Sequence, residues 1–153
     1  MEMSIKKTVF PPNKPSDLDR TAVWADEFLA AAQPLGWVRL FTQKAGALVE
    51  TFIDVRALRV ADGWAHYVTD RGHLHLDLRE LGQAMVASSS RGDRPPYIAF
   101  YNRTGVLLFL WVADAAPCQA AQQRTVLRKL VLQFGTNPIL LCDPTERPPN
   151  RRC

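Results

Sequence analysis

Short runs of hydrophobic residues, many of them aromatic or β-branched, recur along the chain and predict several β-strands. Residues 37–42 and 47–53 form two such runs, and Gly46 lies in the connection between them, so this segment is expected to be a hairpin. Residues 97–101 and 106–112 form another hairpin around a polar connection. The run 106–112 is apolar at nearly every position, which predicts a central strand that is covered on both faces.

Helical spacing of hydrophobic residues predicts two amphipathic helices. The first begins near Asp19 and ends before Pro34, with Trp24 on its apolar face. The second covers residues 117–134 and ends at Gly135, and its apolar side chains form one stripe opposite a polar face. Both helices are expected to pack on the sheet that the strands form.

A third helix is predicted to begin at Asp77, because Asp77 and Glu80 have the spacing of a capping box. In that motif both side chains pair with backbone amides that the first helical turn leaves exposed. Leu78, Leu81 and Met85 would then form an apolar stripe along the helix. The serine- and proline-rich residues that follow are expected to end it in an exposed loop.

A further pair of strands is predicted within residues 63–77, a segment that holds all 3 histidines of the chain. Residues 65–69 and 72–76 have the composition of strands, and a polar turn, Asp70 and Arg71, joins them. The histidines are therefore expected to lie on neighbouring strands.

Imidazoles bind iron, zinc and copper and change charge near neutral pH, so the histidines are the leading candidates for a functional site. Because side chains alternate across a strand, His73 and His75 are predicted to share one face. Two plainer interpretations stay open. A strand histidine can simply hydrogen-bond a backbone carbonyl, and His66 can belong to a core face together with Trp64 and Val68.

These elements predict an α+β domain with an antiparallel sheet. A single domain is the expectation for 153 residues with 47% hydrophobic composition. We predict a flexible N-terminal arm at residues 1–18, the domain at 19–135 and a proline- and arginine-rich tail at 136–153. An apolar patch within that tail, residues 139–141, can pack onto the domain.

Composition narrows the classes of function. The formal net charge is +4 and the pI about 9.2, but the basic residues are scattered, so nucleic-acid binding is not predicted. The 3 cysteines are an odd number without a Cys-x-x-Cys pair, so we expect no disulfide framework and a reducing, cytoplasmic location. The longest apolar run, 106–113, is too short to span a bilayer, and no membrane insertion is predicted.

Zinc is a weaker ligand hypothesis for the histidine segment. The His-x-His spacing of His73 and His75 suits zinc, with His66 or Asp70 completing a set, but structural zinc sites usually contain cysteines.

No nucleophile elbow, phosphate-binding glycine loop or dinucleotide fingerprint is present in the sequence. A binding protein is therefore predicted in preference to an enzyme.

Several short runs spaced along the chain carry a family resemblance. They are residues 24–27 followed by 36–38, then 47–50, then Tyr67 ahead of 72–74, and finally 98–105 before an apolar strand. In order and spacing they resemble the single-domain haem-utilisation proteins of the ChuX/HutX type and, more distantly, one half of the tandem-repeat HemS-type haem carriers. The resemblance covers residues 24–134.

The resemblance implies a split-barrel-like sheet flanked by helices, a haem-sized cleft against that sheet, and a homodimer. It implies that the protein binds haem within a haem uptake or utilisation system and sequesters it or passes it on. The chain departs from the family at residues 43–46, which read Gln-Lys-Ala-Gly where several members have His-Thr-Ala-Asp. This chain therefore lacks the histidine that contributes to haem handling in those family members.

Haem is a flat apolar disc with an iron and two carboxylates, so its site needs an axial ligand, apolar walls and nearby cations. His73, which matches the family's Gly-His pair, is the predicted axial ligand to the haem iron. The other predicted contacts are Tyr67 or His75 as a second ligand, His66 in a supporting place, Arg71, Arg39 or Lys44 at the carboxylates, and Phe41, Met85 and Phe100 as walls.

Two other functions stay open. One is an interaction or adaptor domain that keeps the fold without haem binding, which is suggested by Gln43 at the position of the family's histidine. The other is a haem-degrading enzyme with an external reductant, because the sequence shows no signal for a flavin or nicotinamide cofactor.

Overall fold

The computed structural model describes residues 22–87, 94–135 and 138–147. Within these residues the helices are α1 (Ala25–Ala32) and α2 (Ala120–Phe134). The strands in chain order are β1 (Val23–Trp24), β2 (Trp37–Lys44), β3 (Ala47–Asp54), β4 (Arg59–Ala61), β5 (Trp64–Thr69), β6 (Gly72–Asp77), β7 (Gln83–Ala87), β8 (Tyr97–Tyr101), β9 (Leu107–Val112) and β10 (Ile139–Cys142).

The strands form two sheets. The large one has 7 strands in the order β1-β10-β7-β8-β9-β2-β3, and its neighbours are antiparallel apart from the parallel pair β1 and β10. The small one is antiparallel, in the order β4-β5-β6. The predicted α+β class with an antiparallel sheet is therefore confirmed. The large sheet is open, with β1 and β3 at its edges.

The three predicted hairpins are confirmed as β2–β3, β5–β6 and β8–β9. At the tip of the first, Ala45 and Gly46 have φ of 51° and 81°, the positive values that suit a two-residue turn between twisted strands. Strand β9 lies between β8 and β2, as its apolar composition predicted, and its last four residues are buried.

Both predicted amphipathic helices are present, and they contribute to the main core on one face of the large sheet. The first is shorter than predicted: it begins at Ala25, and Trp24 lies in strand β1 and not on the apolar face of the helix. Phe28 of α1 lies between Phe100 of β8 and Phe134 of α2, with ring centroids 5.9 Å and 5.4 Å away. The fully buried Trp111 of β9 lies 4.8 Å from the Phe100 ring. Offset and edge contacts of this kind add to the free energy gained by burying the rings.

The other face of the large sheet holds a second apolar cluster, to which neither helix contributes. Its buried members are Phe41, Ala99, Tyr101, Leu110 and Val112. The register of β2 against β3 puts Trp37, Leu48 and Phe52 on the same face, where they are 40%, 54% and 56% exposed. This face is therefore partly open and largely apolar, with the Arg39–Glu50 ion pair among its apolar side chains.

The predicted helix at Asp77 is wrong. Residues 78–80 form one turn, in which the Glu80 N–H donates to the Asp77 carbonyl at 3.2 Å, and the chain then enters the large sheet as β7. Leu78 and Leu81 are both buried, which is why their spacing resembled a helical stripe. Leu78 reaches the main core from the turn itself, and Leu81 reaches it from the position just before Gly82.

Gly82 explains why the chain extends after this turn. Its N–H donates to the Tyr101 carbonyl at 2.9 Å, and its own carbonyl accepts from the Leu141 N–H at 3.0 Å. A Cβ at position 82 would lie 2.5 Å from the Cα of Arg103. Close backbone approach and pairing on both sides outweigh the local capping signal, because tertiary context overrides intrinsic propensity.

The apolar patch at residues 139–141 packs onto the domain, which the sequence alone left open. It forms most of β10, and Ile139 and Leu141 are buried in the main core. The predicted arm, residues 88–93 of the predicted loop, and residues 136–137 and 148–153 of the predicted tail lie outside the described residues.

The cysteines differ in state. Cys118 is free and exposed, whereas Cys142 is disulfide-bonded. The odd number of cysteines favoured reduced thiols, so this bond is a finding that sequence reasoning missed. In the described part of the chain, neither helix is long and apolar enough to cross a bilayer.

We predict that Gly82→Ala destabilises the fold by about 1–3 kcal/mol, because the new methyl group overlaps the backbone at Arg103. Urea unfolding followed by tryptophan fluorescence measures the change. Gly72→Ala is the matched control, since a Cβ at Gly72 meets nothing within 4 Å. Equal stability of the two variants would contradict the close approach at Gly82.

Candidate functional site

The three histidines lie on one face of the small sheet. The register of β5 against β6 pairs Trp64 with Asp77, His66 with His75, and Val68 with His73, and residues that are directly opposite project from the same face. We call this surface the histidine face and define it as Trp64, His66, Val68, His73, His75 and Asp77.

His66 and His75 are in direct contact. Their Nδ1 atoms are 2.7 Å apart and their ring centroids 5.0 Å apart, in an edge-on arrangement. One ring therefore donates its Nδ1 proton and the other accepts it, since a neutral imidazole carries one donor and one acceptor nitrogen. The His73 ring lies beside them, 5.9 Å from the His75 ring.

The histidine face is open to solvent. His73 and His75 are exposed, and Val68 is 61% exposed, so the sequence-based alternative of a core face with Trp64, His66 and Val68 does not hold. Among the described residues the His73 ring makes no hydrogen bond, so either of its nitrogens can present the lone pair of the neutral ring to a ligand.

Trp64 and Arg79 close one end of the histidine face. The Trp64 ring stacks on His66 with centroids 6.5 Å apart, and the Arg79 guanidinium lies 5.5 Å from the Trp64 ring. Arg79 also forms an ion pair with Asp77 at 2.9 Å. That hydrogen bond holds the pKa of Asp77 below its ordinary value, so the carboxylate stays charged at neutral pH.

Arg59 is a neighbour of the site that sequence reasoning missed. It lies on β4 directly opposite His66. Strand β4 was not predicted, although Asp62 and Gly63 between β4 and β5 form an Asp-Gly pair, which is a strong hairpin signal. Their φ values of 54° and 80° fit such a turn.

The structure does not bring Tyr67 together with the histidines. Tyr67 lies on the opposite face of β5, packs against the main core, and its hydroxyl accepts from the Asp54 N–H at 3.4 Å. Arg71 is exposed in the β5–β6 turn, where its N–H donates to the Thr69 hydroxyl at 3.2 Å. Arg71 is therefore near the His73 end of the face.

The predicted haem walls and two of the predicted cations, Arg39 and Lys44, lie on the large sheet, with both cations in β2. Phe41 and Met85 belong to the second cluster of the large sheet, and Phe100 is fully buried in the main core on the other side. Arg39 is paired with Asp114, which raises the pKa of Arg39, and also with Glu50 at 3.1 Å. None of these residues belongs to the histidine face.

A cleft of about 130 Å³ opens on the large sheet. Its lining residues are Phe41, Thr42, Gln43, Leu107, Leu108 and Phe109. Pockets for organic ligands are typically about 300 Å³ or larger, so this cleft is too small for haem. Within residues 22–87, 94–135 and 138–147, no group of three or more His, Cys, Asp or Glu side chains is placed to hold one metal ion.

Comparison with solved structures identifies the fold. ChuX aligns with a TM-score of 0.57 at 16% identity, over 74% of this chain and 76% of its own. A protein from Erwinia carotovora aligns with a TM-score of 0.57 at 16% identity, over 74% of this chain and 75% of its own. This chain has the ChuX fold. The fold that the sequence resemblance implied is thereby confirmed.

Holo-PhuS from Pseudomonas aeruginosa, described as a haem-binding protein, aligns with a TM-score of 0.55 at 19% identity. The alignment covers 87% of this chain and 39% of PhuS, so PhuS is more than twice as long as the part matched. No protein-family model and no curated protein matches the chain. Identities this low show the ChuX fold and carry no residue assignments.

Proposed function

We propose that this protein binds haem on its histidine face and that it sequesters or transfers haem in a haem uptake or utilisation system. The observation that carries the proposal is the presence of three imidazoles on one exposed face of a ChuX fold. Another solved ChuX structure is described as that of a haem-binding protein, at 12% identity to this chain.

His73 is the proposed axial ligand. Its ring is exposed and makes no hydrogen bond within the described residues, whereas His66 and His75 hold each other through their Nδ1 atoms. Bound haem would supply an iron centre for which a neutral imidazole nitrogen is a usual protein ligand. His75 and His66 are the alternative ligands beside it.

The remaining surface also fits haem. Trp64 and Val68 offer apolar area on the same face, and Arg71, Arg59 and Arg79 lie around it. Cations at the edge of a site stabilise the two carboxylates of haem. These residues replace Phe41, Met85 and Phe100 as proposed walls and Arg39 and Lys44 as proposed cations.

An open face favours a carrier over an enzyme. Haem held there would stay accessible to a protein that donates or accepts it, whereas haem degradation benefits from a closed site that excludes water. We also propose a cytoplasmic location, because a single disulfide at Cys142 in a chain of 3 cysteines is not the disulfide framework that is typical of small secreted domains.

Titration of the purified protein with haemin tests the ligand. We expect a Soret shift that saturates near one haem per chain and is lost or strongly weakened in His73→Ala, because the iron loses its imidazole. Tyr67→Phe is the matched control and should bind as the unaltered protein does, since Tyr67 lies on the opposite face of β5. Absence of a shift at micromolar protein, or equal loss in both variants, would reject the assignment.

We also propose that the protein is a homodimer whose interface is the open apolar face of the large sheet. Trp37, Leu48 and Phe52 leave large apolar side chains exposed beside the edge strand β3, and such a patch is costly to leave in water. A second copy is the proposed occupant because PhuS, with the same fold, has room for a second unit of this size.

Light scattering coupled to gel filtration tests the dimer. Phe52→Ser should shift the protein toward the monomer, because it removes exposed apolar area from the proposed interface. Leu132→Ser is the control: Leu132 is 86% exposed on α2, away from this face, and its replacement should leave the dimer intact. A monomer in the unaltered protein, or equal effects of both substitutions, would contradict the interface.

A further inference from the structure

The contact between His66 and His75 offers chemistry that haem ligation by His73 does not use. The two residues are directly opposite each other on β5 and β6, so their separation is fixed by backbone pairing. Their Nδ1 atoms are 2.7 Å apart, and since only one proton lies between them, one Nδ1 already presents a lone pair.

This spacing is close to that of a chelate. Metal–imidazole bonds are about 2.0–2.1 Å long, so two nitrogens on one ion are about 2.9 Å apart at a right angle and about 3.4 Å apart in a tetrahedron. Both Nδ1 atoms present lone pairs once the donor ring carries its proton on Nε2 instead of Nδ1. Widening the observed 2.7 Å by a few tenths of an ångström and turning the rings so that the two lone pairs converge would then admit an ion. The rings can make this adjustment, because His75 is exposed and His66 is only half-buried.

We propose that His66 and His75 chelate a divalent transition-metal ion through their Nδ1 atoms. Imidazole suits Cu²⁺, Ni²⁺ and Zn²⁺, and Cu²⁺ forms the tightest complex in this series. Water or a small external ligand completes the coordination, consistent with the absence of a three-residue metal group from the described residues. His73 is not a ligand of this site, and the proposal does not depend on haem binding.

The charges around the two histidines should make their affinity for a metal ion moderate. Arg59 lies opposite His66 and repels a cation, and the Asp77 carboxylate is engaged by Arg79. The affinity therefore depends on both histidines together. Removal of either one leaves a single imidazole with little chelating power.

Titration with Cu²⁺ tests the proposal, using tag-free full-length protein, calorimetry and glycine as a competing chelator. We expect one Cu²⁺ per chain, with affinity lowered about tenfold or more in both His66→Ala and His75→Ala. His73→Ala and Cys118→Ser should stay within about threefold of the unaltered protein. Binding that survives either of the first two substitutions, or that needs His73 equally, would overturn the assignment.

Electron paramagnetic resonance of the unaltered protein with one equivalent of Cu²⁺ gives a second readout that needs no variant. The spectrum should show superhyperfine coupling to two imidazole nitrogens, and coupling to fewer than two would also overturn the assignment. Titration of His73→Ala with haemin and with Cu²⁺ separates the two proposals. Loss of haem binding with copper binding retained supports the chelate as a separate function of this face, and loss of copper binding in His73→Ala would overturn it.

Discussion

The register of β5 against β6 is the constraint on which the candidate site depends. Because side chains alternate with a period of two, a slip of one residue would move every histidine on one strand to the core side. The two-residue turn at Asp70 and Arg71 and the burial of Leu76 opposite Ala65 fix the register. The same pairing that fills the core therefore exposes the imidazoles.

The two apolar faces of the large sheet are separate from the histidine face, the proposed ligand site. Both helices and Phe100 occupy one face of the large sheet, and the cluster around Phe41 occupies the other. The small sheet adds Tyr67 and Leu74 to the main core and turns its second face to solvent. The proposed dimer interface therefore lies on a different surface from the histidine face, and single substitutions can alter it while leaving the proposed haem and metal sites intact.

Periodicity predicted the hairpins, both amphipathic helices and the neighbourhood of the histidines, because each is encoded by local pattern. It failed at Asp77, where a capping motif competes with pairing between Gly82 and distant strands that no local window contains. It missed Arg59 because β4 is only three residues long. The contact between His66 and His75 needed the register itself, which sequence alternation suggests only for residues on one strand.

The central claim is that haem binds at the histidine face. The most direct measurement is a titration of ¹⁵N-labelled protein with ferric haemin, in which the paramagnetic iron broadens the signals of nearby backbone amides. We expect broadening along β5 and β6, strongest around His73, at one equivalent of haemin. Broadening confined to the large sheet around Phe41 and Leu108, or none at one equivalent, would contradict the claim.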